Sequence, residues 1–176
     1  MDAGALGSTE LDVASLLLRL ALGPMLVLHG LNKVQGGLAG TQRWFESLGL
    51  RPGWLHARVA AATEVGAGLL VTLGLLNGLA AMAFVGLMTV AALTDHRGKG
   101  YFIFKGGAEY VVLVAVVAVA LAVLGPGRWS LDHALGLDLA GLGWGLIALV
   151  GGLVAAGGLL ATSYRPGPAK DAEAGA

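Results

Sequence analysis

Residues 59–94 read VAAATEVGAGLLVTLGLLNGLAAMAFVGLMTVAALT, and Glu64 is the one charged residue among them. As a single helix this run would be about 54 Å long, nearly twice the ~30 Å hydrocarbon core of a bilayer. It is too apolar for water and too long to cross once, so it must turn back on itself. Asn77-Gly78, in GLLNGLA, supplies the turn. The reading predicts a helical hairpin with spans near 59–76 and 78–94.

Working outward, a first apolar run covers residues 13–32, long enough for one span. Another run at 107–124 is stopped by GPG at 125–127, where Pro and paired Gly end a helix. A fifth occupies 139–162. The expected fold is an all-α integral membrane helical bundle: an N-terminal tail at 1–12, a four-helix core at 13–133, an extra C-terminal transmembrane helix within 134–162, and a polar, disordered cytoplasmic tail at 163–176. In the segment between the first two spans, Trp44, Phe45, Leu48 and Leu50 stand near i, i+3, i+4 spacing. That predicts a short interfacial helix, either an anchor or a lid.

Composition agrees. Of 176 residues, 56% are hydrophobic and 12% charged, and the mean hydropathy of +0.78 lies outside the range of soluble domains. The absence of cysteine removes disulfides, thiolate ligands and iron–sulfur clusters from the chain's own chemistry. The 30 glycines have no Gly-X-Y period, which excludes collagen and favours close helix packing. Lys+Arg and Asp+Glu balance at 11 each, without a basic run interleaved with aromatics, so no nucleic-acid partner is expected. The acidic start MDAGALGSTELD lacks a signal peptide's basic region, so the first span is expected to persist in the mature chain.

The basic residues are unevenly placed. Nine of the 11 Lys and Arg fall in the 33–58 segment, the 95–106 segment and the C-terminal tail, whereas the 125–138 segment has only Arg128. By the positive-inside rule, a multi-pass cell-membrane protein with its N-terminus outside and C-terminus in the cytoplasm is expected.

Ionisable residues inside a span cost at least about 2.5 kcal/mol each and normally have a partner or a task. With this topology His29 and Lys33 lie one turn apart near the inner end of span one. Glu64, Glu109 and His96 belong to the same inner third, with Tyr110 beside Glu109. These form the candidate polar cluster. Arg19 lies in the outer third, free to snorkel outward or to reach toward Glu64. Such a cluster either pins helix register or binds a polar headgroup on an apolar tail. A quinone meets the second description: its carbonyls need donors such as His or Lys, its redox change moves protons that carboxylates relay, and its tail is at home between helices. No Glu-x-x-His motif occurs, so a di-iron bundle is not expected, and neither is another metal or haem.

RLALGPMLVLHGLNKV in span one, AATEVGAGLLVTLGL in span two, Glu109 at the start of span four and GPGRWSLD in the outer loop together resemble the DoxX family of small membrane proteins over residues 13–133. Members are four-helix bundles, which makes span five an addition. The resemblance implies kinship with small subunits of thiosulfate:quinone oxidoreductase and terminal quinol oxidase, and with membrane partners of soluble redox-defence enzymes. It carries over His29, Glu64, Glu109 and the Arg128, Trp129 and Asp132 segment as candidate positions, with no established catalytic mechanism.

The expected function is a quinone-interacting subunit of a membrane redox system, working with lipid, with a protein that holds the redox centre, and with a second copy of itself as a further partner to test. Whether the chain is itself an enzyme stays open. One alternative is a scaffold that recruits a soluble redox enzyme through Arg43, Arg51, Arg97 and Lys99. Another is a small-molecule or proton transporter, disfavoured by the lack of an inverted repeat.

Overall fold

The computed structural model describes residues 8–166. The described residues form seven α-helices: α1 (Ser8–Gln35), α2 (Leu38–Ser47), α3 (Gly53–Leu73), α4 (Asn77–Leu93), α5 (Glu109–Leu124), α6 (Leu131–Ala134) and α7 (Leu142–Ser163). A short 3-10 turn at Ile103–Lys105 precedes α5. The expected hairpin forms, but it turns through residues 74–76, where Gly74 closes α3 in the left-handed region (φ 64°), and Asn77 and Gly78, expected as the turn, open α4 instead. The helix expected in GTQRWFESLGL is α2. From residue 167 onward the expected tail lies outside the described residues, as do residues 1–7.

α1 is longer than its apolar run at both ends. Its first turns are held by Asp12, which accepts a backbone hydrogen bond from Arg128 at 2.9 Å and is ion-paired with the Arg128 guanidinium. α3 likewise starts at Gly53, before the apolar stretch, because α2 packs along it and covers those turns.

α1 lies along α3, α3 beside α4, α4 beside α5, and α5 meets α1; α7 packs on α4 and α5. Consecutive long helices run in opposite directions, and hydrogen bonds tie each end of the bundle. At one end Ser15 Oγ donates to Gly125 O (2.7 Å) and Asp132 N to Gly74 O (2.9 Å). At the other, Arg51 N donates to Ser163 O (2.8 Å), beside a single bridge between Leu50 and Tyr164.

The core combines Phe84, Leu121, Leu26 and Val71 with many alanines. Small residues set helix spacing: an added Cβ at Gly23 would lie 2.7 Å from Gly68 O, and one at Gly68 would lie 2.7 Å from Gly23 O. The α1 and α3 backbones therefore touch there. Gly68→Ala should cost about 1–3 kcal/mol by forcing these helices apart. Gly66→Ala, where the new Cβ meets nothing within 4 Å, should be neutral or stabilise by up to about 1 kcal/mol. Reversible unfolding in detergent measures both.

The outside of the bundle is apolar. Leu17, Leu28, Leu113, Val116, Leu146 and Val154 are each at least 60% exposed along the helices. α1 and α7 are long and apolar enough to cross a membrane, and α4 and α5 are shorter apolar helices. This is a surface suited to lipid, where backbone polar groups must be satisfied within helices.

Candidate functional site

The polar centre of the bundle is an ion pair between α1 and α3. Lys33 Nζ donates to both oxygens of Glu64, at 2.6 and 2.7 Å. The sequence HGLNK makes this contact: Gly30, one turn before Lys33, lacks a Cβ that would stand 2.9 Å from Ala61 O and 3.0 Å from Glu64 Cβ. With α1 drawn that close to α3, the lysine stem reaches a carboxylate that is only 5% exposed. The ammonium retains a third proton that this bidentate pairing does not use.

Beside the pair lies a cavity of about 580 Å3, within the range of small-molecule sites. Its walls are mostly apolar, with Leu26, Leu87, Met88, Val90, Val111 and Leu159 among them. The polar residues lining it include His29, Lys33, Glu64, His96 and Tyr110. His29 Nδ1 lies 2.9 Å from the Met25 carbonyl. A carbonyl can only accept, so this nitrogen carries the proton and Nε2 is left to accept from a ligand, or to donate when the ring is protonated. His96 Nδ1 donates in the same way to Gly106 O at 2.6 Å. The Tyr110 hydroxyl donates to Met25 Sδ, a weak acceptor that a better one could replace. Trp44 and Phe45 of α2, with Leu48 just after it, close one side of the cavity, in the position of a lid.

Glu109 is not among the residues lining this cavity. Its Oε2 accepts from Ile103 N at 2.9 Å and fastens the turn before α5. The sequence puts Glu109 at the right depth, but the helix rotation directs its side chain to the loop. Arg19 does not reach Glu64 either. Although it is 2% exposed, it donates to the Trp129 carbonyl at 2.7 Å, so it belongs to the opposite end of the bundle.

There the outer-loop motif works as a staple. Arg128 joins α1 through Asp12, and Trp129 joins it through Arg19. Asp132, fully buried, accepts from Leu76 N (2.7 Å) and Asn77 N (2.9 Å) at the start of α4. Sequence reasoning gives Asp132 to its own helix start; Ser130 does cap α6, accepting from His133 N at 3.2 Å, while the aspartate caps α4 across the fold. The indole of Trp129 is half exposed, as an interfacial anchor would be.

Four polar residues at the cavity were not singled out from sequence: His56, Thr63, Thr94 and Asp95. His56 is buried, with Nε2 3.3 Å from Arg51 O. Its spacing of eight residues from Glu64, with Ala60 between, puts the three on one helical face and is the signal that could have found it. Among the described residues no group of three His, Cys, Asp or Glu is arranged to hold a metal ion.

A sequence profile of the DoxX family matches residues 14–97, which contain His29, Lys33, Glu64 and His96. A Bacillus subtilis (strain 168) protein named "Putative oxidoreductase CatD" is 35% identical over 121 residues, covering 69% of this chain and 86% of that protein. No solved structure matches significantly. The profile match takes in the α1 and α3 residues that build the ion pair and most of the cavity wall, and with the Bacillus relative it shows that this chain belongs to the DoxX family.

Proposed function

We propose that this protein is a quinone-binding membrane subunit of a redox system, with the ring held in the cavity beside Lys33 and Glu64. The carrying observation is the cavity itself: an apolar chamber in which a lysine proton, a histidine Nε2 and a tyrosine hydroxyl stand free or nearly free beside a buried carboxylate. These groups suit the ligand chemically. Lys33 and Tyr110 supply donors for carbonyl oxygens. His29 Nε2 can take a proton from a hydroxyl or return one, with Glu64 near enough to Lys33 to hold the compensating charge. A bound quinone would supply the two-electron, two-proton chemistry that these side chains lack. The chain has no cysteine, and the electrons are assigned to a partner protein carrying a redox centre. The name of the Bacillus relative, an oxidoreductase, supports a redox role.

The same reading sets the protein in the cell membrane as four core spans (α1, α3, α4, α5) with α7 as a fifth. Lys33, Arg43, Arg51, Arg97, Lys99 and Lys105 all occupy the end of the bundle that holds the cavity mouth, which supports a cytoplasmic orientation of that end. The N-terminus is then outside.

Ubiquinone and menaquinone analogues titrated into the purified protein in nanodiscs test the proposal. Saturable binding is expected, weakened by about tenfold or more in His29→Ala and Glu64→Gln. Equal, unsaturable uptake by all three proteins would assign the cluster to helix register and favour a scaffold that docks a soluble enzyme through its basic loops.

A further inference from the structure

A second, shallower space adjoins the cavity on the outer face of the bundle. A groove of about 360 Å3 follows the seam between α3 and α4, lined among others by Ala62, Thr63, Gly66, Leu70, Leu79 and Ala83. Thr63 and Ala83 also line the cavity, so the two spaces share wall residues on both helices. Two neighbouring seams are closed by backbone contact. At α1 and α3 the backbones touch through Gly23 and Gly68, and at α4 and α7 a Cβ on Gly152 would stand 2.7 Å from Val85 side-chain carbons and 2.8 Å from Met82 O. α3 and α4, although joined by a tight turn, pack on each other less closely than either of those pairs.

Gly66 sets the width of the groove. Glycine disfavours a helix interior, and at Gly23, Gly30 and Gly68 close packing accounts for it, since a Cβ would meet a neighbour at 2.1–2.8 Å. At Gly66 a Cβ would meet nothing within 4 Å. Helix packing does not require glycine there, as it does not at Gly143, Gly157 and Gly158 of α7, but Gly66 differs from these in lining the groove, where any larger side chain would project into it.

We infer that the α3/α4 groove is the lateral passage for an isoprenoid tail, which makes the substrate class a long-chain prenyl quinone: ring beside Lys33 and Glu64, first isoprenoid units against Gly66, Leu70 and Leu79. The inference rests on the quinone reading above. A groove lined by alanine, glycine and leucine offers a tail dispersion contacts and asks it to desolvate no polar group except the Thr63 hydroxyl. It also lets the ligand enter and leave from lipid without moving α2.

The test uses full-length wild type, Gly66→Leu and Ala62→Leu in nanodiscs, with two ubiquinone analogues: one without a tail and one with a long prenyl tail bearing a diazirine. Thermal unfolding checks that the variants fold, which is expected because Gly66 and Ala62 have room for a larger side chain. The tailed analogue should bind about tenfold more weakly to both variants and the tail-free one within about twofold of wild type. In wild type the photolabel should fall within residues 62–83. Unchanged affinity of the tailed analogue in the variants, or label on α1 or α7 instead, would overturn the passage while leaving the ring site standing. Labelling of the groove by a diazirine phospholipid, with quinone affinity unchanged in the variants, would make it an ordinary lipid contact and also overturn the inference. If neither analogue binds wild type saturably, the quinone reading fails and the passage fails with it.

Discussion

Lys33→Met should destabilise the bundle by about 3–5 kcal/mol, the cost of leaving one member of a buried ion pair without its partner. Glu64 is 5% exposed and both its oxygens are bonded by one ammonium. Without Lys33 the carboxylate must either stay charged among apolar neighbours or take up a proton. Glu64→Gln should cost less, because Lys33 stands in the last turn of α1 and is the more exposed partner (15% against 7% for the side chains), so its head can move toward water. The double variant should recover part of the loss of Lys33→Met, since it removes the orphaned charge. Equilibrium unfolding in bicelles of the two single variants and the double variant measures this coupling; additive effects would mean that the pair contributes no coupling energy. Quinone binding should be lost in Lys33→Met even where the protein stays folded, which separates the site from its stability.

Asp132→Ala is expected to cost about 3–4 kcal/mol, more than any other single change in the outer loop. The carboxylate accepts two backbone hydrogen bonds at the N-terminus of α4, and hydrogen bonds to a charged group contribute about 1.5–3 kcal/mol each. It also faces the positive end of the α4 dipole. Removing it leaves the amides of Leu76 and Asn77 without their acceptor and takes a countercharge from Arg19, whose Nε and Nη1 atoms make no hydrogen bond of their own. Asp132→Asn keeps one acceptor oxygen and should retain about half the stabilisation. Trp129→Ala should change unfolding little, because Arg19 contacts the backbone carbonyl of Trp129 and not its indole. Hydrogen exchange at the first turn of α4 reads the difference directly: faster exchange is expected in Asp132→Ala and not in Trp129→Ala.

These effects also mark how far the sequence could be read. The choice of Glu64 over Glu109 as the partner of Lys33 came only with the structure, while that Lys33 shares one level with Glu64 was legible from depth. His29, His96 and Tyr110 reach the same cavity for the same reason. Glu109 shared their depth, and only its rotation removes it. A helix that is apolar on every side, as α5 nearly is, has no hydrophobic stripe from which to read which face turns inward. Arg19 posed a different problem: its side chain is long enough to meet either end of the bundle, and the backbone carbonyl that captures it comes from a loop more than a hundred residues away.

The sequence by itself determined the number and order of the long apolar helices, the hairpin that joins α3 to α4 and the gathering of basic residues at one end. Each of these follows from runs of apolar residues measured against helical rise, and from the punctuation supplied by glycine, proline and charge. Tertiary structure alone decided that Asp132 caps α4, that Gly30 brings Lys33 onto Glu64, and that the residues after α1 cover a cavity beside which a groove runs between α3 and α4. Those features depend on helix rotation and on how closely backbones approach, and both are set by packing between residues far apart in the chain.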